Sequence, residues 1–306
     1  MSLRQELDWG KLASLRLEAK LVADGVYSGA HRSVRRGAGV EFGGHRNYLP
    51  GDDLRFLDRH ARMRHGVLLV REFETETDRA LRLIVDASGS MSYESDRARR
   101  SKYDFSAVLA AALGRIALSG GDRVALDFVA GGDATRPVPA SGGRDAFERL
   151  TGHLESATPE GTASLQSFER ALAPTLRHAR RGAAVVLFSD LLDLPEGAED
   201  LVASLCTGGR AVCVVRVMDP AELEFPFQGP VALRALEGEA FIETDADAVR
   251  HEYLERLQRL CDTWEGRLTL RGGRLVGVSS TDDAVESVRR ILFALGQAGA
   301  NHRGHA

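Results

Sequence analysis

From Arg79 onward the chain alternates between two patterns of apolar and polar positions. Short, largely apolar runs rich in valine, leucine and phenylalanine fall at 81–86 (LRLIVD), 123–129 (RVALDFV), 183–189 (AAVVLFS), 211–217 (AVCVVRV) and 274–278 (RLVGV). Between them, apolar residues return every three or four positions among polar ones, the period of a helix with one buried face. Phe105, Val108, Leu109, Ala112, Leu113 and Ile116 form one such stripe, and Leu165, Phe168, Leu172 and Leu176 form another. Short apolar runs separated by helices specify strands buried on both faces of a mostly parallel sheet. The predicted fold class is therefore α/β: a doubly wound, mostly parallel sheet with helices on both faces. The four earlier helices are expected to begin near Tyr103, Arg144, Leu165 and Glu196. Two more span 248–264, with Tyr253, Leu257, Cys261 and Trp264 on the buried face, and 283–295. A short strand is expected near Phe241, and the prolines of 221–230 (AELEFPFQGP) predict a loop.

Upstream the pattern is different. Leu7, Leu12, Leu15, Leu17, Leu21 and Val22 recur at helical spacing among charges and predict an amphipathic helix over 3–26 that packs on the main body. Residues 29–66 are rich in glycine and arginine, with turn formers interrupting short apolar stretches, and 67–76 (VLLVREFETE) reads as a strand. The expected organisation is an N-terminal helix and small β-containing extension over 1–78, the α/β domain over 79–298, and a frayed tail over 299–306.

Composition narrows the functional classes. Of 306 residues, 43% are hydrophobic and 27% charged, which is ordinary for a globular protein with a substantial core. Lysine and arginine total 40 against 44 acidic residues, so the net charge of -4 carries no footprint for nucleic acid or an anionic membrane. The arginines Arg32, Arg35, Arg36 and Arg46 have only Phe42 and Tyr48 interleaved with them, too few aromatics for a stacking surface. No nucleic-acid partner is expected. Cys206, Cys213 and Cys261 are odd in number and lack a C-x-x-C pairing, so they read as reduced thiols. No apolar run approaches the roughly 18 residues of a membrane span, and 1–15 lacks the apolar centre of a signal peptide. A cytoplasmic location without a membrane span is expected.

In open α/β sheets ligands bind beyond the carboxyl ends of the strands. The first run ends in Asp86-Ala87-Ser88-Gly89-Ser90, which places a carboxylate and two hydroxyls at alternate positions. A later run ends in Ser189-Asp190, and the loop before the helix at Leu165 supplies Gly161-Thr162. Such an all-oxygen set suits magnesium (Mg2+) or manganese (Mn2+), which take about six hard ligands, rather than zinc. Two carboxylates leave the ion under-neutralised, and that favours capture of an acidic side chain from another protein. The plainer alternative is helix capping, by Ser88 after its strand or by Thr162 or Ser164 before Leu165.

These residues resemble the metal-ion-dependent adhesion site of the von Willebrand factor A family, whose pattern is Asp-x-Ser-x-Ser, a loop threonine and a strand-end aspartate. The resemblance implies that Ser88 and Ser90 bind the ion directly, that Asp86 and Asp190 do so directly or through water, and that Thr162 joins according to conformational state. Upstream, 46–58 (RNYLPGDDLRFLD), with GVEF at 39–42 before it and Ala61-Arg62 after, is similar to the signature of the bacterial DUF58 family, which joins that signature to a von Willebrand factor A-like domain. The likeness extends to Asp219-Pro220 and Ser280-Thr281, and departs at Arg59, where members usually carry tryptophan. It implies work with a MoxR-type AAA+ ATPase, in a chaperone-like or metal-insertion role toward an unknown client. Read without the family, Arg46, Asp52, Asp53, Arg55, Asp58 and Arg62 form a charge network fixing a loop, with a docking surface as the alternative.

The expected function is a non-enzymatic, metal-dependent protein–protein interaction module. The alternatives are a hydrolase, with Ser88 as nucleophile or a metal-activated water, and a structural scaffold with an unused site. Against the hydrolase stand the lack of a G-x-S-x-G elbow, of a phosphate-binding G-x-x-x-x-G-K-[ST] loop and of a histidine close in sequence to Asp86 or Asp190. His45, His60 and His65 have no recognised ligand spacing.

Overall fold

The computed structural model describes residues 14–29, 42–47, 69–73, 80–133, 135–143, 145–234 and 241–300. The chain forms two compact units, one of residues 33–78 and one of residues 1–32 together with 79–306.

In chain order the larger unit begins with helix α1 (Leu15–Gly29). The smaller unit contains an antiparallel pair, β1 (Phe42–Asn47) and β2 (Leu69–Phe73), so strand structure enters a passage read as irregular. The larger unit resumes with β3 (Ala80–Asp86), a 3₁₀ turn (Gly89–Ser92), α2 (Lys102–Ser119), β4 (Arg123–Val129), β5 (Val138–Ser141), α3 (Ala146–Ser156), α4 (Leu165–His178) and β6 (Ala184–Ser189). Then follow α5 (Ala198–Ser204), β7 (Ala211–Met218), α6 (Pro220–Glu224), β8 (Pro230–Arg234), β9 (Phe241–Asp245), α7 (Ala246–Leu270), β10 (Arg274–Ser279) and α8 (Ala284–Ala300). Among the described residues no helix is long and apolar enough to cross a membrane. The expectations for 3–13, 48–66 and 301–306, including most of the Arg46 to Arg62 charge network, lie outside the described residues.

The central sheet has the order β10-β7-β6-β3-β4-β5, parallel throughout except for the antiparallel pair β4 and β5. The chain enters at β3, in the interior, winds outward through β4 and β5, then returns to the other side of β3 with β6, β7 and β10. The winding reverses between β3 and β6, and the carboxyl ends of those two strands flank the crevice that an open α/β sheet offers a ligand. This is the von Willebrand factor A-like arrangement. β8 and β9 form a separate antiparallel pair.

Strand residues alternate between two cores. Leu83, Val85, Leu126, Val186, Phe188 and Val215 face α2, while Ile84, Val185, Leu187 and Val214 face the side packed by α4, α5 and α7 with Phe168, Leu172, Val202, Trp264 and Leu268. Helix α2 differs from its predicted one-sided stripe. It is buried from Lys102 to Gly114 except at Asp104, because α1, α3 and α8 cover the faces that the sheet leaves open. Helix α1 buries Ala19, Val22, Ala23 and Val26 in this layer. Its contact with α8 is close, since a Cβ at Gly25 would lie 2.8 Å from Val285 Cγ2.

Further departures have local causes. Leu165 and Leu176 of α4 are exposed at 41% and 38%, and the buried face is instead Phe168, Ala171, Leu172 and Thr175. On α7, Leu257, Trp264 and Leu268 are buried, whereas Tyr253 and Cys261 are half-buried. Helix α6 and strand β8 occupy a stretch read as loop, since Pro220 fits the first turn of a helix and Pro230 opens an edge strand. Strand β5 was not predicted either. All three cysteines are free, with Cys206 and Cys213 buried.

Phe168 is fully buried in the second core. Phe168→Ala is expected to lower unfolding free energy by about 3–5 kcal/mol, read from urea denaturation, because a ring-sized cavity in a sheet-helix interface collapses poorly.

Candidate functional site

The carboxyl ends of three adjacent strands, β3, β6 and β7, each deliver an aspartate: Asp86 as the last residue of β3, and Asp190 and Asp219 as the residues after β6 and β7. All three are fully buried. Burial of so many acids at one end of a sheet is tolerable only where each carboxylate is hydrogen-bonded or paired.

Asp86 Oδ1 accepts the Ser88 backbone N–H at 3.0 Å, and Oδ2 accepts the Ser189 hydroxyl at 2.6 Å. The Ser88 and Ser90 hydroxyls stand 3.2 Å apart, both almost wholly buried. The neighbouring loop is tied to this segment by Gly89 N–H to Gly161 O at 2.8 Å and Glu160 N–H to Ala87 O at 2.9 Å. Ser88 makes no side-chain capping bond to the 3₁₀ turn it precedes, so capping does not explain it. The capping alternative applies instead to Ser164, which caps α4 in a reciprocal box with Ser167.

Asp190 is held by a different device. Its Oδ1 accepts the Leu192 N–H at 3.0 Å and its Oδ2 the ammonium of Lys102 at 2.7 Å. Lys102 Nζ also donates to Glu222 Oε1 at 2.6 Å and lies 5.8 Å from the centre of the Tyr93 ring. Glu222 in turn accepts the Asp219 N–H at 3.0 Å, while Asp219 accepts both the Ser95 hydroxyl at 2.6 Å and the Ala221 N–H at 2.7 Å. Tyr253 of α7 donates its hydroxyl to the Glu222 carbonyl at 2.8 Å.

The structure thus brings together Asp86, Ser88, Ser90 and Asp190 of the expected set. Thr162 lies exposed on the adjacent loop, one residue beyond Gly161, whose φ of 74° turns that loop. Sequence reasoning missed Lys102, Glu222, Asp219 and the role of Ser189. One signal was available. Lys102 is the first residue of α2, where the helix dipole disfavours a cation, and it opens a largely apolar helix, so a carboxylate partner was called for.

Electrostatics follow from the count of charges. Burial, and then the neighbouring Asp190 charge, push the Asp86 carboxyl up to about 6 against the opposing hydrogen bonds of Ser189 and Ser88. Burial works to lower the Lys102 pKa, but Asp190 and Glu222 outweigh it and hold the ammonium above its ordinary value. The donor set is carboxylate and hydroxyl oxygen, which suits a hard cation. Among the described residues no three histidine, cysteine, aspartate or glutamate side chains form a group that could hold a metal ion.

The family described as "Protein of unknown function DUF58" matches residues 44–260. The uncharacterized protein Rv1480 of Mycobacterium tuberculosis is similar at 31% identity over 258 residues, covering 82% of this chain and 79% of its own. Similar solved structures include an aerotolerance-related membrane protein of Bacteroides fragilis, with 18% identity, 72% of this chain and 99% of its own covered, and a TM-score of 0.47. The SpRpn10 VWA domain is 13% identical, covers 69% of this chain and 93% of its own, and has a TM-score of 0.38. At these scores the solved structures carry no functional argument, and the fold assignment rests on strand order and the winding reversal.

Two outcomes are expected of the charge network. Lys102→Met should cost about 3–5 kcal/mol in chemical denaturation, because it leaves Asp190 and Glu222 buried and uncompensated, and acidification should recover part of the loss. Asp86 has a folded pKa of about 6, above its ordinary 3.8, so its favourable contribution is present below pH 3.8 and lost as pH rises through 6. In chelator-treated buffer, the stability of Asp86→Asn relative to the parent should therefore rise from acid to neutral pH, read from paired denaturation curves.

Proposed function

The chain belongs to the DUF58 family, and from its buried strand-end cluster we propose a non-enzymatic protein-binding module that grips an acidic group of its partner through a divalent ion, magnesium or manganese. The observation that carries this reading is a charge imbalance. Asp86, Asp190, Asp219 and Glu222 gather at the ends of three adjacent strands, and among the described residues the one cation hydrogen-bonded to them is Lys102. Asp86, Ser88 and Ser90 would hold the ion. Asp190 would act from further away, since Leu192 N–H and Lys102 Nζ already engage its two oxygens. Thr162 remains the residue that joins according to conformational state. When bound, a divalent ion supplies neutralising charge and an open position for a partner's carboxylate oxygen.

The arrangement of Lys102 also weighs against a serine-lysine hydrolase. A lysine acts as a general base only when its pKa falls toward neutrality, and the raised pKa of Lys102 keeps it an ammonium. The Ser88 hydroxyl stands 3.2 Å from the Ser90 hydroxyl and interacts with the Asp86 carboxylate, so among the described residues no histidine or neutral lysine is poised to activate it. The family resemblance supports a MoxR-type AAA+ ATPase as the partner, with the pair acting on an unidentified client.

Magnesium should raise the melting temperature of the parent, and Ser88→Ala with Ser90→Ala should abolish that rise while circular dichroism remains unchanged. Global unfolding of the double variant would instead make the hydroxyls structural. In a binding assay, a purified MoxR-type ATPase should be retained with magnesium and released by chelator or by Asp86→Ala. Retention indifferent to both would defeat the reading.

A further inference from the structure

A second polar site lies in the larger unit and shares no residue with the Asp86 cluster. A cavity of about 380 Å³ opens between the end of β4, the turn that follows it and α4, lined by Asp127, Ala130, Asp133, Thr135, Ser167 and Arg170. Asp127 projects from the face of β4 opposite Leu126, among the otherwise apolar residues that meet α4. It is 5% exposed, and among the described residues its carboxylate accepts no hydrogen bond. Arg82, on the same face of the adjacent strand, acts on it through charge. The second acceptor is the Thr135 hydroxyl, buried and without a hydrogen-bond partner. Ala130 (φ 56°) and Gly131 (φ 94°) turn the chain back at this point. Glycine is required at 131, where a Cβ would lie 2.5 Å from Thr135 Oγ1. The Ser167 hydroxyl is engaged with Ser164, and Arg170 stands exposed at the rim, so inside the cleft Asp127 has the charge of Arg82 nearby and the Thr135 hydroxyl as its polar companion.

We infer that this cleft binds a primary ammonium group, supplied by a small aliphatic amine or by a lysine side chain of another polypeptide. A buried carboxylate and a buried hydroxyl, both lacking donors, are costly unless a donor-rich group arrives, and an ammonium brings three donors and the matching charge. The cavity is in the size range of sites for small ligands. Burial pushes the Asp127 carboxyl up to about 6, and an arriving cation reverses that shift.

The test is calorimetric titration of the full chain at neutral pH, in chelator so that the divalent site plays no part. Cadaverine, the peptide acetyl-Gly-Lys-Gly-amide and the neutral 1,5-pentanediol are the probes. Saturable binding of either amine but not the diol, weakened at least tenfold by Asp127→Asn, is the expected result. Tighter binding of cadaverine assigns the site to free amines, and tighter binding of the peptide assigns it to a partner's lysine. Thr135→Val removes an unpartnered hydroxyl at constant shape, so it should weaken binding while keeping the parent's stability, and it reads the site even if Asp127→Asn folds poorly. Absence of saturable amine binding, equal binding of the diol, or amine binding unchanged in both variants would overturn the inference.

Discussion

The strand-end site depends on one buried lysine. Lys102 sits at the first turn of the largely buried helix α2 and spans the ends of two strands by bonding Asp190 after β6 and Glu222 in α6. Without it, two carboxylates would be left in a low-dielectric interior with little to offset their desolvation. With it, α2 is pinned by charge where the helix dipole would otherwise disfavour a cation, and α6 is drawn against the sheet. The packing of α1, α3 and α8 around α2 rests instead on the run of small and apolar residues from Phe105 to Gly114.

The lysine also fixes what kind of chemistry the cluster supports. Its two salt bridges keep it protonated, so it contributes charge and position rather than proton transfer. Asp86 stands differently: its partners are hydroxyl and amide donors, and it keeps the unfavourable proximity of Asp190. The two aspartates therefore divide their work, one held by an internal cation and the other left strained toward an external one.

The sheet was legible in the sequence because its strands are short, largely apolar runs, the pattern of strands buried on both faces. The stripe on α4 was less legible. Leu165 and Leu176 fit the period yet lie at the ends of the helix, beyond the sheet, and Ala171 and Thr175 take the inner positions. Strands β5 and β8 and helix α6 are four or five residues long, too short for periodicity to register against their prolines. In the site, Asp86, Ser88 and Ser90 were visible because they alternate within five residues at the end of one strand. Lys102 and Glu222 were not, since their pairing spans 120 positions and is imposed by topology rather than by spacing.

Hydrogen bonds and short stretches of chain join the strand ends into one path. From Asp86 the path runs to Ser189, along the chain to Asp190, then through Lys102, Glu222 and Asp219 to Ser95, which lies on the same segment as Ser88 and Ser90. Segments separated by more than a hundred residues in sequence thus hold one another's charged side chains, and removal of one member leaves its neighbours short of a partner.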